Sequence, residues 1–385
     1  MKRGTLLIHN GHETDPATGA LGVTLYQTST FDQKAYFQTP AGEHPQPQEF
    51  DYARSGTPTR KALEEIIAEL EGGEAGYAFS SGIAAVSSAL GILSTRDHII
   101  AAEDIYGGSY RMLNTFYKRW GLEVTAVDAS DAENIKKAIK PNTKAVFLET
   151  PSNPLLKITD LKACIAVAKN AGLLTFVDNT FMTPHLQRPI ELGADIVIHS
   201  ATKFLGGHSD VISGLAVTAT RELGKRLYAV QNGFGAVPGP WDVWLVIRGI
   251  KTLKVRLETQ QASAQILSRH LLKHPKVAAE YYPGLEDHPG KKIHDGQSSG
   301  PGAVFSFKTK TTEQAVRFLG SVKLAAAAVS LGGVETIASY PVRMSHASIP
   351  PAERERLGIT DTLIRISTGL EDPEDLIADF EEALK

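Results

Sequence analysis

LLTFVDNT (173–180) and DIVIHSATK (195–203) are apolar runs of strand length, and each ends in a cluster of polar residues. Runs that are apolar throughout are expected where a strand is covered on both faces, as in a parallel sheet flanked by helices. The second follows only one βα unit after the first, so their polar endings belong on one rim of the sheet. Asp178, Asn179 and Thr180 come from the first ending, and Ser200, Thr202 and Lys203 from the second. Ligands of open α/β sheets bind beyond the carboxyl ends of the strands, which makes this rim the first place to search for chemistry.

Outward from this pair, further runs stand at DHIIAAE (97–103), LEVTAVD (122–128), KAVFLETP (144–151) and SGLAVTA (213–219). Helical patterns separate them from about residue 59 to 240, and the alternation predicts an α/β fold with a mostly parallel sheet. TRKALEEIIAELEGG (59–73) reads as a helix with Leu63, Ile66, Ile67 and Leu70 on one stripe. Thr59 is its expected N-cap, and Gly72-Gly73 supply a left-handed C-terminal cap. After NGFGAVPGP (232–240), one long amphipathic helix (243–272) is expected to lead into a smaller α+β pattern. Three parts follow: an arm (1–58) that includes the Pro-rich TPAGEHPQPQ and packs on a neighbouring subunit, an α/β domain (59–240) and a C-terminal α+β domain (241–385).

The 385 residues are 42% hydrophobic, enough for a large core. Forty basic against 43 acidic side chains give no reason to expect nucleic acid or an anionic membrane as partner, so a small molecule is the expected ligand. The first residues lack the apolar stretch of a secretory signal and no run is long enough to span a bilayer, which points to the cytoplasm. The single cysteine, Cys164, excludes an internal disulfide and a multi-cysteine zinc site; in the apolar helical pattern LKACIAVAKNAG (161–172) it reads as core.

Pyridoxal 5'-phosphate (PLP) needs a lysine amine for a Schiff base, a carboxylate opposite the pyridine nitrogen and donors for its phosphate. Lys203 alone would read as a solvated surface lysine, and Asp178 alone as a turn or capping residue. They become informative together with SSGIAAVSSALG (80–91), in which Ser80, Ser81 and Gly82 precede a helix whose free amides and dipole suit a phosphate.

These residues lie in motifs by which the chain resembles, over essentially its whole length, the Cys/Met-metabolism family of PLP enzymes. The motifs are YARSGTPTR (52–60), FSSGIAA (79–85), EDIYGGSYR (103–111), ETPSNP (149–154), VDNTF (177–181), SATKFLGGHSD (200–210) and SLGGVE (330–335). The resemblance implies the aspartate-aminotransferase type of fold, fold type I, with Lys203 as the Schiff-base lysine and proton shuttle and Asp178 paired with the pyridinium nitrogen. It places the phosphate on the backbone of Gly82 and Ile83 and on Ser200 and Thr202, with Thr180 also at the cofactor. Ile83 stands where many members have methionine, a harmless change because the contact is made by the amide. Tyr106 would stack on the cofactor face, and Tyr52 and Arg54 would reach the phosphate of the neighbouring subunit. Arg365, with Asn153 and Ser330, would grip the substrate carboxylate, for which a guanidinium is suited. A homotetramer built from dimers that share active sites is implied as well.

FDYARSGTPTR, DNTFMTP, SATKFLGGHSDV and ASYPVRMSHA are similar to the bacillar cystathionine β-lyase type. This implies a carbon–sulfur lyase of trans-sulfuration and methionine biosynthesis that splits L-cystathionine into homocysteine, pyruvate and ammonia. Glu335 in SLGGVE is shared with members that perform γ chemistry, so a γ-lyase or a bifunctional lyase stays open, followed by cystathionine γ-synthase. A nicotinamide-dependent oxidoreductase is disfavoured, because no G-x-G-x-x-G follows a strand. A non-catalytic binding module would leave the convergence of Lys203, Asp178 and a phosphate cradle unexplained. The 12 histidines include no H-E-x-x-H, and His199 and His208 read as core or pocket wall rather than metal ligands.

Overall fold

A computed structural model describes the chain except residues 11–13, 16–17 and 39–48, so TPAGEHPQPQ (39–48) lies outside the described residues. Seven strands form the larger sheet: β1 (Ala75–Phe79), β2 (His98–Ala102), β3 (Glu123–Val127), β4 (Thr143–Glu149), β5 (Leu174–Asp178), β6 (Ile196–Ser200) and β7 (Gly214–Thr218), in the order β1-β7-β6-β5-β4-β2-β3. The block from β3 to β6 is parallel, and β7 runs antiparallel to both β6 and β1. Ile99, Phe147, Phe176, Val177 and Ile198 are wholly buried in this block, as its unbroken apolar runs require. Cys164 is buried in the same core, where loss of hydration pushes its thiol up to about 12.

The sequence reading anticipated six of these strands and passed over β1. AGYAF is short and half-buried, and it holds a glycine because the helix beneath comes too close for a side chain: a Cβ on Gly76 would lie 2.2 Å from the Glu64 carbonyl. The helix Pro58–Glu71 is capped by Thr57, not Thr59. Thr57 Oγ1 accepts from the Arg60 N–H, and Pro58 takes the first helical position, where a missing N–H costs nothing. The buried Thr59 hydroxyl is used instead by the preceding segment: it donates to the Thr24 carbonyl and accepts from the Tyr26 N–H. Gly72 closes this helix in the left-handed conformation, φ +77°, as expected.

The single long helix expected over 243–272 is two helices, Pro240–Lys251 and Leu253–Leu271, broken at Thr252. The buried Arg256 accounts for the break, because its guanidinium donates to the Gly249 and Phe204 carbonyls and its Nε to Thr252 Oγ1. Beyond these helices lies a five-stranded sheet of β8 (Val277–Tyr281), β9 (Val304–Thr309), β10 (Ala326–Ala327), β11 (Ile337–Ser339) and β12 (Leu363–Ser367), ordered β10-β11-β12-β9-β8. At the other end of the chain, Leu6 and Leu7 of the helix Arg3–His9 pack into the core of their own chain, whereas Tyr26 and Tyr52 are exposed. Among the described residues no helix is long and apolar enough to cross a membrane.

Candidate active site

Strand register brings the rim residues together. Glu149 of β4 pairs with Asp178 of β5, and Asp178 with Ile198 of β6, so β4 and β5 end level while β6 runs on to Ser200. Beyond these ends opens a cavity of about 1150 Å³. Of the fourteen site residues that the family resemblance implies, twelve border it: Gly82, Ile83, Tyr106, Asn153, Asp178, Thr180, Ser200, Thr202, Lys203, Ser330, Glu335 and Arg365.

Lys203 reaches the cavity from the turn after β6, and its Nζ donates to Ser330 Oγ at 2.7 Å. Burial, helped by the Arg365 guanidinium, brings its ammonium down to about 8, so the neutral amine needed for nucleophilic attack is accessible near neutral pH. Ser330 makes this contact from a left-handed backbone, φ +88°, a conformation that costs free energy for a residue with a side chain. Such strain at a cavity wall fits a position fixed by its contacts.

Asp178 is buried, and its Oδ1 accepts the Thr180 N–H at 3.0 Å. Burial pushes its carboxyl upward, while the bonds from Thr180 and the His199 charge pull it back. Thr180 Oγ1 also accepts the Ser200 N–H at 2.8 Å, which locks the ends of β5 and β6 together. His199 points away from the cavity into the core, where Nε2 meets Glu71 Oε1 at 2.6 Å.

The helix Gly82–Leu90 ends on the same rim. Ser81 caps it by accepting the Ala84 N–H, and as in any α-helix the first amides have no intrahelical partner. Gly82 is required sterically: a Cβ there would fall 2.6 Å from Ser200 Cβ and close the gap between the helix and β6. The Thr202 hydroxyl is bonded to the backbone of Ser213. Helix amides, Ser200 and Thr202 thus surround a niche beside an amine and a buried acid.

Arg365 enters from β12 of the second sheet. It is 3% exposed and donates to Asn153 Oδ1 at 2.9 Å, to the Ser330 carbonyl at 2.5 Å and to Ser339 Oγ at 3.1 Å. Its buried Nε–H has no partner among the described residues, and Arg365 borders the cavity, where a guanidinium suits a ligand carboxylate. Glu335, hydrogen-bonded to Ser209, borders the cavity as well.

Tyr52 and Arg54 do not border the cavity of their own chain. Arg54 lies over the Tyr52 ring and donates to the side chain and carbonyl of Asn232. The sequence reading did not single out Glu149, a buried acid beside Asp178 on the cavity floor. Its signal was present, since KAVFLETP ends in a polar residue just as LLTFVDNT does. Ser339, which accepts from Arg365, was passed over because nothing in its local sequence marks it as the partner of an arginine in β12.

The niche, the amine and the buried carboxylate fit the phosphate, the aldehyde and the ring nitrogen of PLP, and on this fold they define a PLP-dependent enzyme of fold type I. The family model for Cys/Met metabolism PLP-dependent enzymes matches residues 4–385, and the chain belongs to that family. It is 55% identical over 381 residues to a cystathionine β-lyase of Bacillus subtilis, covering 99% of this chain and 96% of the relative. A cystathionine γ-lyase of the same organism is 51% identical over 385 residues, with both chains fully covered. Among solved structures, a cystathionine γ-lyase from Lactobacillus plantarum, complexed with L-serine, superimposes with a TM-score of 0.95 at 43% identity, covering 100% of this chain and 98% of that one.

Proposed function

We propose that the chain is a PLP-dependent carbon–sulfur lyase that cleaves L-cystathionine by β-elimination to homocysteine, pyruvate and ammonia. The observation that carries this reading is that Lys203, Asp178 and Arg365 border one cavity. When bound, PLP supplies an aldehyde for the substrate amine and a ring that accepts electrons from Cα. Gly82, Ile83, Ser200 and Thr202 hold the phosphate, with Thr180 fixing the strand ends beneath it. Asp178 keeps its charge opposite the ring nitrogen, where a cationic partner offsets the upward push of burial. Arg365, steadied by Asn153, binds the substrate carboxylate and so fixes the orientation of the Cα–H bond. Lys203 Nζ takes the Cα proton, with Ser330 Oγ as its hydrogen-bond partner on the cavity wall. Tyr106 covers the cofactor face.

Tyr52 and Arg54, exposed and outside their own cavity, serve the phosphate of a neighbouring subunit, in a homotetramer of dimers that share active sites. Glu335 supports γ-elimination as a second reading, because it places an acid on the cavity wall. One assay separates the two: purified protein with PLP and L-cystathionine, with the keto acid identified by mass spectrometry. Pyruvate with homocysteine is expected. 2-Oxobutanoate with cysteine would move the assignment to γ-lyase, and neither product would refute the lyase reading.

The depressed Lys203 amine has a pH consequence. Below about 8 it is mostly protonated, so capture of PLP by apoprotein should speed up by about tenfold per pH unit and level off above that value. Stopped-flow absorbance checks this, and a rate that climbs unabated to about pH 10 would mean an ordinary, solvated lysine.

A further inference from the structure

Glu149 ends β4 as Asp178 ends β5, and the register sets the two residues side by side, so both side chains rise from the same face of the sheet. Both border the cavity and both are buried, Glu149 at 6% and Asp178 at 8% exposure. The two carboxyls share one buried floor on adjacent strand ends, where the charge of either disfavours ionisation of the other.

The partners of the two acids differ. Asp178 has the Thr180 N–H and faces the place of the ring nitrogen. Glu149 Oε2 accepts the Tyr106 N–H at 2.8 Å. The charged groups facing Glu149 are Asp178, Asp104 from the turn after β2, and Arg365 from the second sheet. Burial first, then the Asp178 charge and that of Asp104, push its carboxyl well above the usual range; the Tyr106 N–H and the Arg365 guanidinium pull the other way. Tyr106 in turn is placed by its backbone, since it opens the helix Gly107–Arg111 and Gly107 is wedged so closely on Ser345 that a Cβ would lie 2.1 Å from the carbonyl.

We propose that Glu149 is a positioning residue held as a neutral carboxylic acid, which anchors the backbone of Tyr106 at the cofactor cavity and leaves the single negative charge of the pair on Asp178. The inference rests on the PLP site described above. It assigns the acid no contact with substrate, and it explains why a second carboxylate can stand on the floor without competing for the ring nitrogen.

The test uses holoenzyme and the variants Glu149→Gln and Glu149→Leu. Glutamine keeps a neutral oxygen for the Tyr106 N–H, so kcat and KM should stay within about threefold of wild type, and the pH midpoint of the cofactor's visible absorbance should not move. Leucine removes the acceptor, and kcat/KM should fall about 10- to 100-fold through misplacement of Tyr106, with the absorbance midpoint again unchanged. An infrared difference spectrum, wild type minus Glu149→Gln at neutral pH, should show the C=O band of a protonated carboxyl. Absence of that band, or a midpoint that falls in Glu149→Gln, would mean that Glu149 is ionised and would overturn the proposal. Wild-type kinetics in Glu149→Leu would overturn the anchoring role. Should Glu149→Leu fail to fold, Glu149→Ala with the same readouts replaces it. The infrared band is read whether or not cofactor is bound, so a failure of the PLP reading itself is distinguishable as a wild-type protein with no visible absorbance.

Discussion

Lys203→Ala is expected to abolish turnover and the visible absorbance of the bound cofactor. In the proposed reading the side chain has two tasks, covalent attachment of PLP and movement of the Cα proton, and no other lysine borders the cavity among the described residues. Loss of a nucleophile that also acts as base removes catalysis by about 10³-fold or more, at least ~4 kcal/mol of transition-state stabilisation. The fold should persist, because Lys203 Nζ makes one hydrogen bond and truncation relieves the cost of burying an amine. Thermal denaturation close to wild type, together with colourless, inactive protein, is the expected combination. Unchanged colour and rate would sink the assignment of Lys203.

The second large effect is expected at Asp178. In Asp178→Asn the amide oxygen can still accept the Thr180 N–H, so the strand ends should hold. What disappears is the negative charge proposed to keep the ring nitrogen protonated, and breaking a buried charge pair costs about 2–5 kcal/mol. The variant should remain coloured, since Lys203 is intact, while kcat falls about 10²- to 10⁴-fold and KM changes little. Steady-state kinetics on cystathionine measures this. A variant with nearly full kcat would show that the ring is not activated through Asp178.

These two residues were legible in the sequence because a simple physical rule governs them. Ligands gather at the carboxyl ends of parallel strands, and VDNT and HSATK stand at two such ends. Glu149 obeyed the same rule and was missed, because an acid that ends a strand looks alike whether it faces solvent or a buried floor. Only the register that pairs it with Asp178 separates the two cases. The proposed grip of Arg365 on the substrate carboxylate needed the resemblance to known enzymes: Arg365 lies 162 positions after Lys203 in the chain, and nothing local in DTLIRISTG says that it reaches Asn153.

The misread elements have tertiary causes. Thr59 has the right chemistry for a cap, but its hydroxyl is taken by the segment around Thr24 and Tyr26. The sequence over 243–272 keeps helical periodicity across Thr252, yet the chain breaks there, where the buried Arg256 also donates to the Phe204 carbonyl of the first domain. Such long-range partners leave no mark in a local pattern.

The most direct test of the account is to reduce the holoenzyme with borohydride and map the modified peptide by mass spectrometry. The pyridoxyl group is predicted on Lys203, in the peptide that contains SATKFLGGHSD (200–210). Pyridoxyl on any other lysine, or on none, would contradict the site and the mechanism built on it.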